Sequence, residues 1–192
     1  PKNSIELHFE KDLIPEGIAV DPVSQKVYLN SLKSAKIVRC NLDGSNAEDF
    51  LSSHEHGYLS GFGMTIQGNT LYALGNGLSK ENNKSVLLLL HTISGELIKS
   101  YPLDNGSFVF LNDLAVDSKG NIYITDSEST DIYTINKTTD ELEVFFSNEA
   151  VKHSNGIAIS SDDRYLYLAS YTSGIRILDI ATNPILLRVL MG

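Results

Sequence analysis

The sequence contains a single cysteine, no tryptophan and no long apolar run. Because Cys40 has no partner cysteine, no disulfide can form within the chain and packing alone has to hold the fold together. The longest apolar segment, Val86–Leu90, has the length of a buried strand and falls far short of the roughly 20 residues that a membrane span requires. We therefore expect neither a disulfide framework nor a membrane-spanning helix.

Positive charge is also scarce. The chain has 15 lysines and arginines against 24 aspartates and glutamates, which gives a formal net charge of -9 and an isoelectric point near 4.9. The acidic residues are scattered along the chain, so a polyanion would be repelled on average, and we expect no nucleic-acid partner. The sequence does not distinguish an exported protein from a cytoplasmic one, and it does not indicate an oligomeric state.

What the sequence does contain is a repeated pattern. Four anchor residues, each followed by a short apolar stretch, are separated by 46, 50 and 43 residues: Gly17, Gly63, Asp113 and Gly156. An apolar-tyrosine-apolar core follows each anchor, at Val27-Tyr28-Leu29, Leu71-Tyr72-Ala73, Ile122-Tyr123-Ile124 and Leu166-Tyr167-Leu168. A period of about 40–50 residues filled by short strands is typical of one four-stranded propeller blade.

The region from residue 110 to residue 136 shows the pattern most clearly. Turn residues divide it into predicted strands at Leu114–Val116, Ile122–Thr125 and Ile132–Ile135. We predict an all-β protein, a β-propeller built of four-stranded blades, forming a single domain or a portion of one. The predicted repeats cover residues 12–53, 59–103, 110–149 and 152–192. The four repeats either close a ring of their own or form part of a longer propeller, and we favour the second.

Chemistry is expected where the innermost strands begin. In a propeller these strands line the central channel, so the residues just before the four anchors should converge at one mouth: Glu16, Phe62, Asn112 and Asn155. One carboxylate and two carboxamides form an oxygen-only donor set, which suits a hard cation such as Ca²⁺ better than zinc. Asp113 can add a carboxylate or orient a ligand. The alternative is that these are ordinary turn residues, since Asn-Gly is a common turn dipeptide.

The motifs at these positions resemble those of a known family. PEGIAVD from Pro15, LNDLAVD from Leu111 and SNGIAIS from Ser154 are similar to motifs of the gluconolactonase and regucalcin group of senescence-marker-protein-like propellers. The sequence resembles paraoxonases and strictosidine-synthase-like proteins more distantly. The resemblance extends from Ile14 to Ile180. It implies a six-bladed propeller with one divalent cation, usually Ca²⁺, bound by Glu16, Asn112 and Asn155.

Two departures from the family pattern affect the expected site. The family's fourth ligand, an aspartate one repeat further along, would fall beyond Gly192. The sugar-lactone enzymes also carry an arginine two residues before the Asn-Asp pair, where this chain has Phe110. Because an apolar ring replaces a guanidinium that would hold sugar hydroxyls, we expect a less polar substrate than gluconolactone, with Phe62 and Phe110 as the substrate-binding residues.

The activity implied by the resemblance is metal-assisted hydrolysis of a small lactone or ester. In that reaction a cation polarises the carbonyl and water attacks it. Asp113, or the aspartate of the missing repeat, is the candidate general base, and His56 and His153 are further titratable candidates unless they are simply exposed loop histidines. The alternative function is a non-catalytic propeller that binds a small apolar ligand or a protein partner around a structural cation.

Overall fold

A computed structural model of the chain describes residue 7, residues 11–104 and 106–182, and the backbone of residues 185–189. Within these residues the protein is built of strands joined by turns, with two short 3-10 turns at Glu55–Gly57 and Glu149–Val151. The strands are β1 (Ile18–Asp21), β2 (Lys26–Asn30), β3 (Ile37–Asn41), β4 (Glu48–Leu51), β5 (Ser60–Gln67), β6 (Thr70–Asn76), β7 (Ser85–His91), β8 (Leu97–Leu103), β9 (Leu111–Val116), β10 (Ile122–Asp126), β11 (Asp131–Asn136), β12 (Glu141–Ser147), β13 (Ser154–Ile159), β14 (Tyr165–Ser170), β15 (Gly174–Asp179) and β16 (Ile185–Val189). None of the helical turns in this described part of the chain is long and apolar enough to cross a membrane.

The strands form four sheets of four strands each, and we refer to the sheets as blades 1 to 4. Each strand lies beside its neighbour in sequence, in the orders β1-β2-β3-β4, β5-β6-β7-β8, β9-β10-β11-β12 and β13-β14-β15-β16. The neighbouring strands are antiparallel and joined by short connections, which is the strand order of a propeller blade, as predicted. The end of the predicted fourth repeat, residues 190–192, lies outside the described residues.

The chain divides into two compact units, which are described separately. The first contains blades 1 and 2 apart from residues 79–85, and the second contains those residues with blades 3 and 4; the boundary falls within β8, after Ser100. Alternation of apolar and polar residues along the strands gives each unit an apolar core between its two blades. The core of the first unit includes Ala19, Tyr28, Ile37, Met64, Leu71 and Leu88, and that of the second includes Tyr123, Ile132, Val151, Leu166, Leu168 and Leu178.

The repeated tyrosine packs differently from blade to blade. Tyr28 is fully buried, its ring meets Phe50 edge-on at a centroid distance of 4.9 Å, and its hydroxyl donates to the Thr92 carbonyl at 2.8 Å. Tyr123 is likewise buried against Phe145, at 5.1 Å. Tyr167, at the same motif position in blade 4, is 39% exposed. The same local sequence therefore sets the strand but not the burial of the ring.

The innermost strands of blades 2, 3 and 4 carry a β-bulge at the positions expected to form the site. In blade 3, for example, Leu111 pairs with Asp126 and Leu114 with Ile124, so Asn112 and Asp113 together face the single residue Thr125. Residues 62–63 and 155–156 occupy the corresponding bulges of blades 2 and 4. Phe62, Asn112 and Asn155 were expected just before the inner strands; they lie within them, because each bulge inserts an extra residue without ending the strand.

Asn30, at the end of β2, joins the two inner strands of the first unit. Its Oδ1 accepts the Gly17 N–H at 2.7 Å, and its Nδ2 donates to the Phe62 carbonyl of blade 2. Nδ2 also lies 3.4 Å from the Tyr58 hydroxyl, which donates to the Leu74 carbonyl at 3.1 Å. Burial raises the pKa of the Tyr58 hydroxyl far above its ordinary value, so this hydroxyl stays a donor. The buried carboxamide thus fixes blade 1 against blade 2.

Gly17 has no room for a side chain beside this carboxamide. A Cβ there would lie 2.0 Å from the Phe62 carbonyl oxygen and 2.6 Å from Asn30 Nδ2, whereas a Cβ on Gly156, the equivalent anchor of blade 4, would meet its nearest atom at 3.8 Å. We expect Gly17→Ala to lower the free energy of unfolding by about 1–3 kcal/mol, as overpacking of a close contact does, and Gly156→Ala to change it by less than about 1 kcal/mol. Chemical denaturation of both variants measures the difference, and equal effects would contradict the close approach.

Candidate functional site

The candidate site of the second unit is built on two adjacent bulges. Asn112 and Asp113 lie in the β9 bulge opposite Thr125, and Asn155 and Gly156 lie in the β13 bulge opposite Ala169. A bulge increases the local twist and turns its side chains away from the regular alternation of the strand. The two bulges occur at the same register, because Leu114 and Ile157, which follow them, pair with equivalent residues of β10 and β14.

The Thr125 hydroxyl connects the two bulges. Its Oγ1 accepts the Asp113 N–H at 3.1 Å within blade 3 and donates to the Asn155 carbonyl of blade 4 at 2.6 Å. Thr125 is fully buried, so little water competes for these bonds. The predicted site residues Asn112, Asp113 and Asn155 are therefore brought together, and a residue that the sequence analysis did not select holds them there.

The Asp113 carboxylate makes a second connection between the blades. Oδ1 accepts the Leu114 N–H at 2.9 Å, and Oδ2 accepts the Ile157 N–H of blade 4 at 3.2 Å. Burial raises the pKa of the Asp113 carboxyl above its ordinary value, and the two backbone N–H groups offset only part of that effect. Each oxygen retains a lone pair after accepting one N–H, so the carboxylate can still accept a further hydrogen bond.

The two asparagine side chains supply the further oxygen donors of the site. Asn112 is only 7% exposed and Asn155 is half-buried. No hydrogen bond of either carboxamide is found within the described part of the chain, where every fully buried side-chain N or O atom has a partner. That part also lacks any group of three or more His, Cys, Asp or Glu side chains placed to bind a metal. Asn112, Asp113 and Asn155 contribute amide and carboxylate oxygens, which are the ligand types that a hard cation prefers.

Phe110 lies two residues before this pair and is fixed through its backbone. Its N–H donates to Asp126 Oδ1 at 3.0 Å, and its carbonyl accepts the Ser127 N–H at 3.0 Å. The half-buried ring lies 6.1 Å from the Phe108 ring, centroid to centroid. The two rings form a small apolar surface on the segment that leads into β9.

His153, two residues before Asn155, is anchored at one ring nitrogen. Its Nδ1 lies 2.8 Å from the Ser127 carbonyl oxygen. Because a carbonyl can only accept, Nδ1 carries the hydrogen, and in the neutral ring Nε2 is left with its lone pair. The half-buried His153 is thus held by the loop that follows β10, and it is not the freely exposed histidine of the plainer interpretation.

Three predicted site residues belong to the first unit. Glu16 is an exposed residue whose backbone N–H lies 3.4 Å from Asn30 Oδ1. Phe62 is buried, at 6% exposed, and its carbonyl accepts from Asn30. His56 is exposed in the Glu55–Gly57 turn, where its Nε2 lies 3.7 Å from Glu55 Oε1. The roles expected of these residues stay predictions.

Sequence reasoning missed Thr125 and Asp126, the last two residues of β10. Asp126 is fully buried; its Oδ1 accepts the N–H groups of Phe110 and Glu128, and its Oδ2 accepts the Ser129 hydroxyl at 2.7 Å. A signal for Thr125 is present in the sequence. A polar residue stands two positions after the motif tyrosine in blades 1 and 3, as Asn30 and Thr125, where blades 2 and 4 have Leu74 and Ala169.

Comparison with known proteins places the chain among propellers. A family model described as the SMP-30/Gluconolactonase/LRE-like region matches residues 14–184. Among curated proteins, no sequence match was found.

Solved structures with the same fold include three proteins of quite different kinds. A chain of a nidogen/laminin complex has a TM-score of 0.72 at 15% identity, with 92% of this chain and 64% of that chain covered. Streptogramin B lyase gives 0.70 at 17% identity, with 93% and 55% covered. A gluconolactonase from Xanthomonas campestris gives 0.69 at 17% identity, with 93% and 63% covered. These likenesses show the β-propeller fold alone, and the chain spans less than two thirds of the length of each of these structures.

Asp126 provides a test of how the site is held. We expect Asp126→Ala to lower the free energy of unfolding by about 1–3 kcal/mol, because buried N–H groups of Phe110 and Glu128 lose their acceptor. Asp126→Asn should cost less, since its carbonyl oxygen can still accept both. Asp162→Ala removes an exposed turn carboxylate that accepts from the Ser160 hydroxyl and the Arg164 N–H, and because water can replace it there, the free energy should fall by no more than about 1 kcal/mol. Urea unfolding compares the three, and an Asp126→Ala variant as stable as Asp162→Ala would refute this role.

Proposed function

The chain belongs to the SMP-30/gluconolactonase/LRE-like family, and on that premise we propose that it is a hydrolase of the lactonase type acting on a small lactone or ester. The observation that supports the proposal is the grouping of Asn112, Asp113 and Asn155 at two adjacent bulges. A half-buried carboxylate beside two uncommitted carboxamides supplies both a base and oxygen ligands for a cation.

Asn112 and Asn155 would bind a divalent cation, Ca²⁺ in the first instance, through their amide oxygens. Glu16 belongs to the first unit, and its role as a ligand stays an expectation from the family motif. When bound, the cation supplies polarisation of the substrate carbonyl and stabilisation of the oxyanion. Amide and carboxylate oxygens are the donors that such a cation prefers.

Asp113 is the proposed general base. Its carboxylate takes a proton from the attacking water as the new C–O bond forms, and the proton is passed to the leaving alkoxide oxygen as the ester C–O bond breaks. The backbone N–H groups of Leu114 and Ile157 fix the orientation of the carboxylate. A carboxyl whose pKa is raised by burial is a stronger base than an exposed aspartate, which favours this role.

Phe110 and Phe108 would contact an apolar part of the substrate. Their rings lie on one segment, and the backbone of Phe110 is fixed by Asp126. A surface of this kind binds an acyl or aryl group and offers no donor to sugar hydroxyls. His153 Nε2 is available as an additional proton acceptor or ligand near Asn155.

Removal of the cation tests the proposal. We expect a chelator in excess to abolish hydrolysis of a lactone and aryl-ester panel, and addition of Ca²⁺ to restore it. Asn155→Ala should weaken Ca²⁺ binding, measured by titration calorimetry, at least about 10-fold, because even residues that only support ligands contribute 10–100-fold. Asn136→Ala is the matched control: this half-buried residue ends β11, and its carboxamide bonds to Glu143 and the Thr138 N–H within the hairpin, so its loss should affect stability and leave the affinity unchanged.

The outcomes separate the two candidate functions. Hydrolysis that persists in chelator would contradict metal dependence. Stabilisation of the fold by Ca²⁺ without turnover of any ester or lactone would favour the non-catalytic alternative, a propeller that binds a small apolar ligand or a protein partner.

A further inference from the structure

We propose that Thr125 is a positioning residue of this site, and that its hydroxyl sets the separation between the Asn112-Asp113 pair and Asn155. The inference rests on the proposed function for its meaning, because it concerns the same site. The effect of the Thr125 hydroxyl on the backbone segments that contain Asp113 and Asn155 can be measured without turnover.

Only one assignment of donor and acceptor roles lets the Thr125 hydroxyl bond to both segments. A threonine O–H has a single proton to donate. The Asn155 carbonyl lies 2.6 Å from Oγ1 and the Asp113 carbonyl 3.3 Å, so the proton goes to Asn155. The oxygen lone pairs then accept the Asp113 N–H at 3.1 Å. The hydroxyl is thus an acceptor for one bulge and a donor to the other.

The position of Thr125 makes it different from other threonines of the unit. It is the single residue opposite the β9 bulge, and both of its partners belong to segments that carry candidate ligands. Thr134, on the adjacent strand β11, also donates to a backbone carbonyl, that of Ile122 at 2.7 Å, but it contacts neither bulge. Both hydroxyls therefore contribute to stability, and only that of Thr125 connects the two halves of the site.

The same arrangement occurs in the first unit with different chemistry. Asn30 accepts the Gly17 N–H and donates to the Phe62 carbonyl, and these two residues correspond in register to Asp113 and Asn155. A polar side chain at this one position of the second strand therefore connects inner strands in both units. The connection thus occurs once in each unit, and in blade 3 the connected segments carry the candidate ligands.

Loss of the Thr125 hydroxyl would leave one connection between the bulges among those described. The remaining bond, from the Ile157 N–H to Asp113 Oδ2, is 3.2 Å long and depends on a carboxylate that would also have to act as the base. Valine fills the space of threonine but would leave the Asp113 N–H and the Asn155 carbonyl unpaired in a buried place. The Ser127 hydroxyl, which donates to the Ser154 carbonyl at 2.9 Å, would still connect blade 3 to the residue before Asn155, so the separation of the two amides would be held less tightly.

The experiment compares Thr125→Val, Thr125→Ser and Thr134→Val in the full chain, at a temperature well below unfolding. Amide hydrogen exchange at Asp113 and titration calorimetry with Ca²⁺ alone are the two measurements. We expect Thr125→Val to speed Asp113 exchange and weaken Ca²⁺ binding, each at least about 10-fold. Thr125→Ser should restore both to within about 3-fold of wild type, and Thr134→Val should lower the melting temperature while changing neither.

Two results would overturn the inference: Thr125→Val retaining both properties within about 3-fold, or Thr134→Val matching Thr125→Val in both. If the wild-type chain binds no Ca²⁺ and hydrolyses no ester, the proposed function fails. In that case the contrast in Asp113 exchange between Thr125→Val and Thr134→Val still decides whether Thr125 fixes the two segments.

Discussion

A hydrogen bond from the second strand of one blade to the inner strand of the next sets the geometry on which the candidate site depends. In the first unit the Asn30 carboxamide donates this bond to the Phe62 carbonyl, and in the second unit the Thr125 hydroxyl donates it to the Asn155 carbonyl. The apolar cores hold neighbouring blades together, but burial of apolar surface is not directional and allows sliding along the strands. A buried hydrogen bond has a fixed length and angle, so it determines which residues of adjacent inner strands lie side by side.

The choice between asparagine and threonine at this position decides what the neighbouring anchor can be. Asn30 occupies space up to the backbone, and a Cβ at Gly17 or Gly61 would lie about 2.5 Å or less from Asn30 or the Phe62 carbonyl. Only glycine fits at both positions. Thr125 has a shorter side chain, and its single hydroxyl both donates and accepts a hydrogen bond. The anchor of blade 3 is Asp113, whose carboxylate accepts the Ile157 N–H. A smaller bridging residue is thus associated with a charged side chain at the anchor.

The strands could be predicted from the sequence because their signals are local. Turn residues and the tyrosine motif predicted β9, β10 and β11 to within a few residues, and equivalence of the anchors placed Asn112 and Asn155 in the same register. The bulges could not be predicted, since an extra residue within a strand leaves no mark in a 40–50-residue period. Asn30 and Thr125 were missed because a polar residue at a strand end usually faces water, and only the adjacent blade buries them.

Asn30 and Asn112 show how residues of one type at similar burial can differ in what they are available to do. Both residues are buried, at 0% and 7% exposed. Asn30 is committed to backbone and tyrosine partners on both sides, which makes it part of the framework. No such bond of the Asn112 carboxamide is found within the described part of the chain, where every fully buried side-chain N or O atom has a partner. The Asn112 amide oxygen is therefore a donor that the framework does not use, and the adjacent Asp113 and Asn155 add the charge and the further oxygen donor of a cation site.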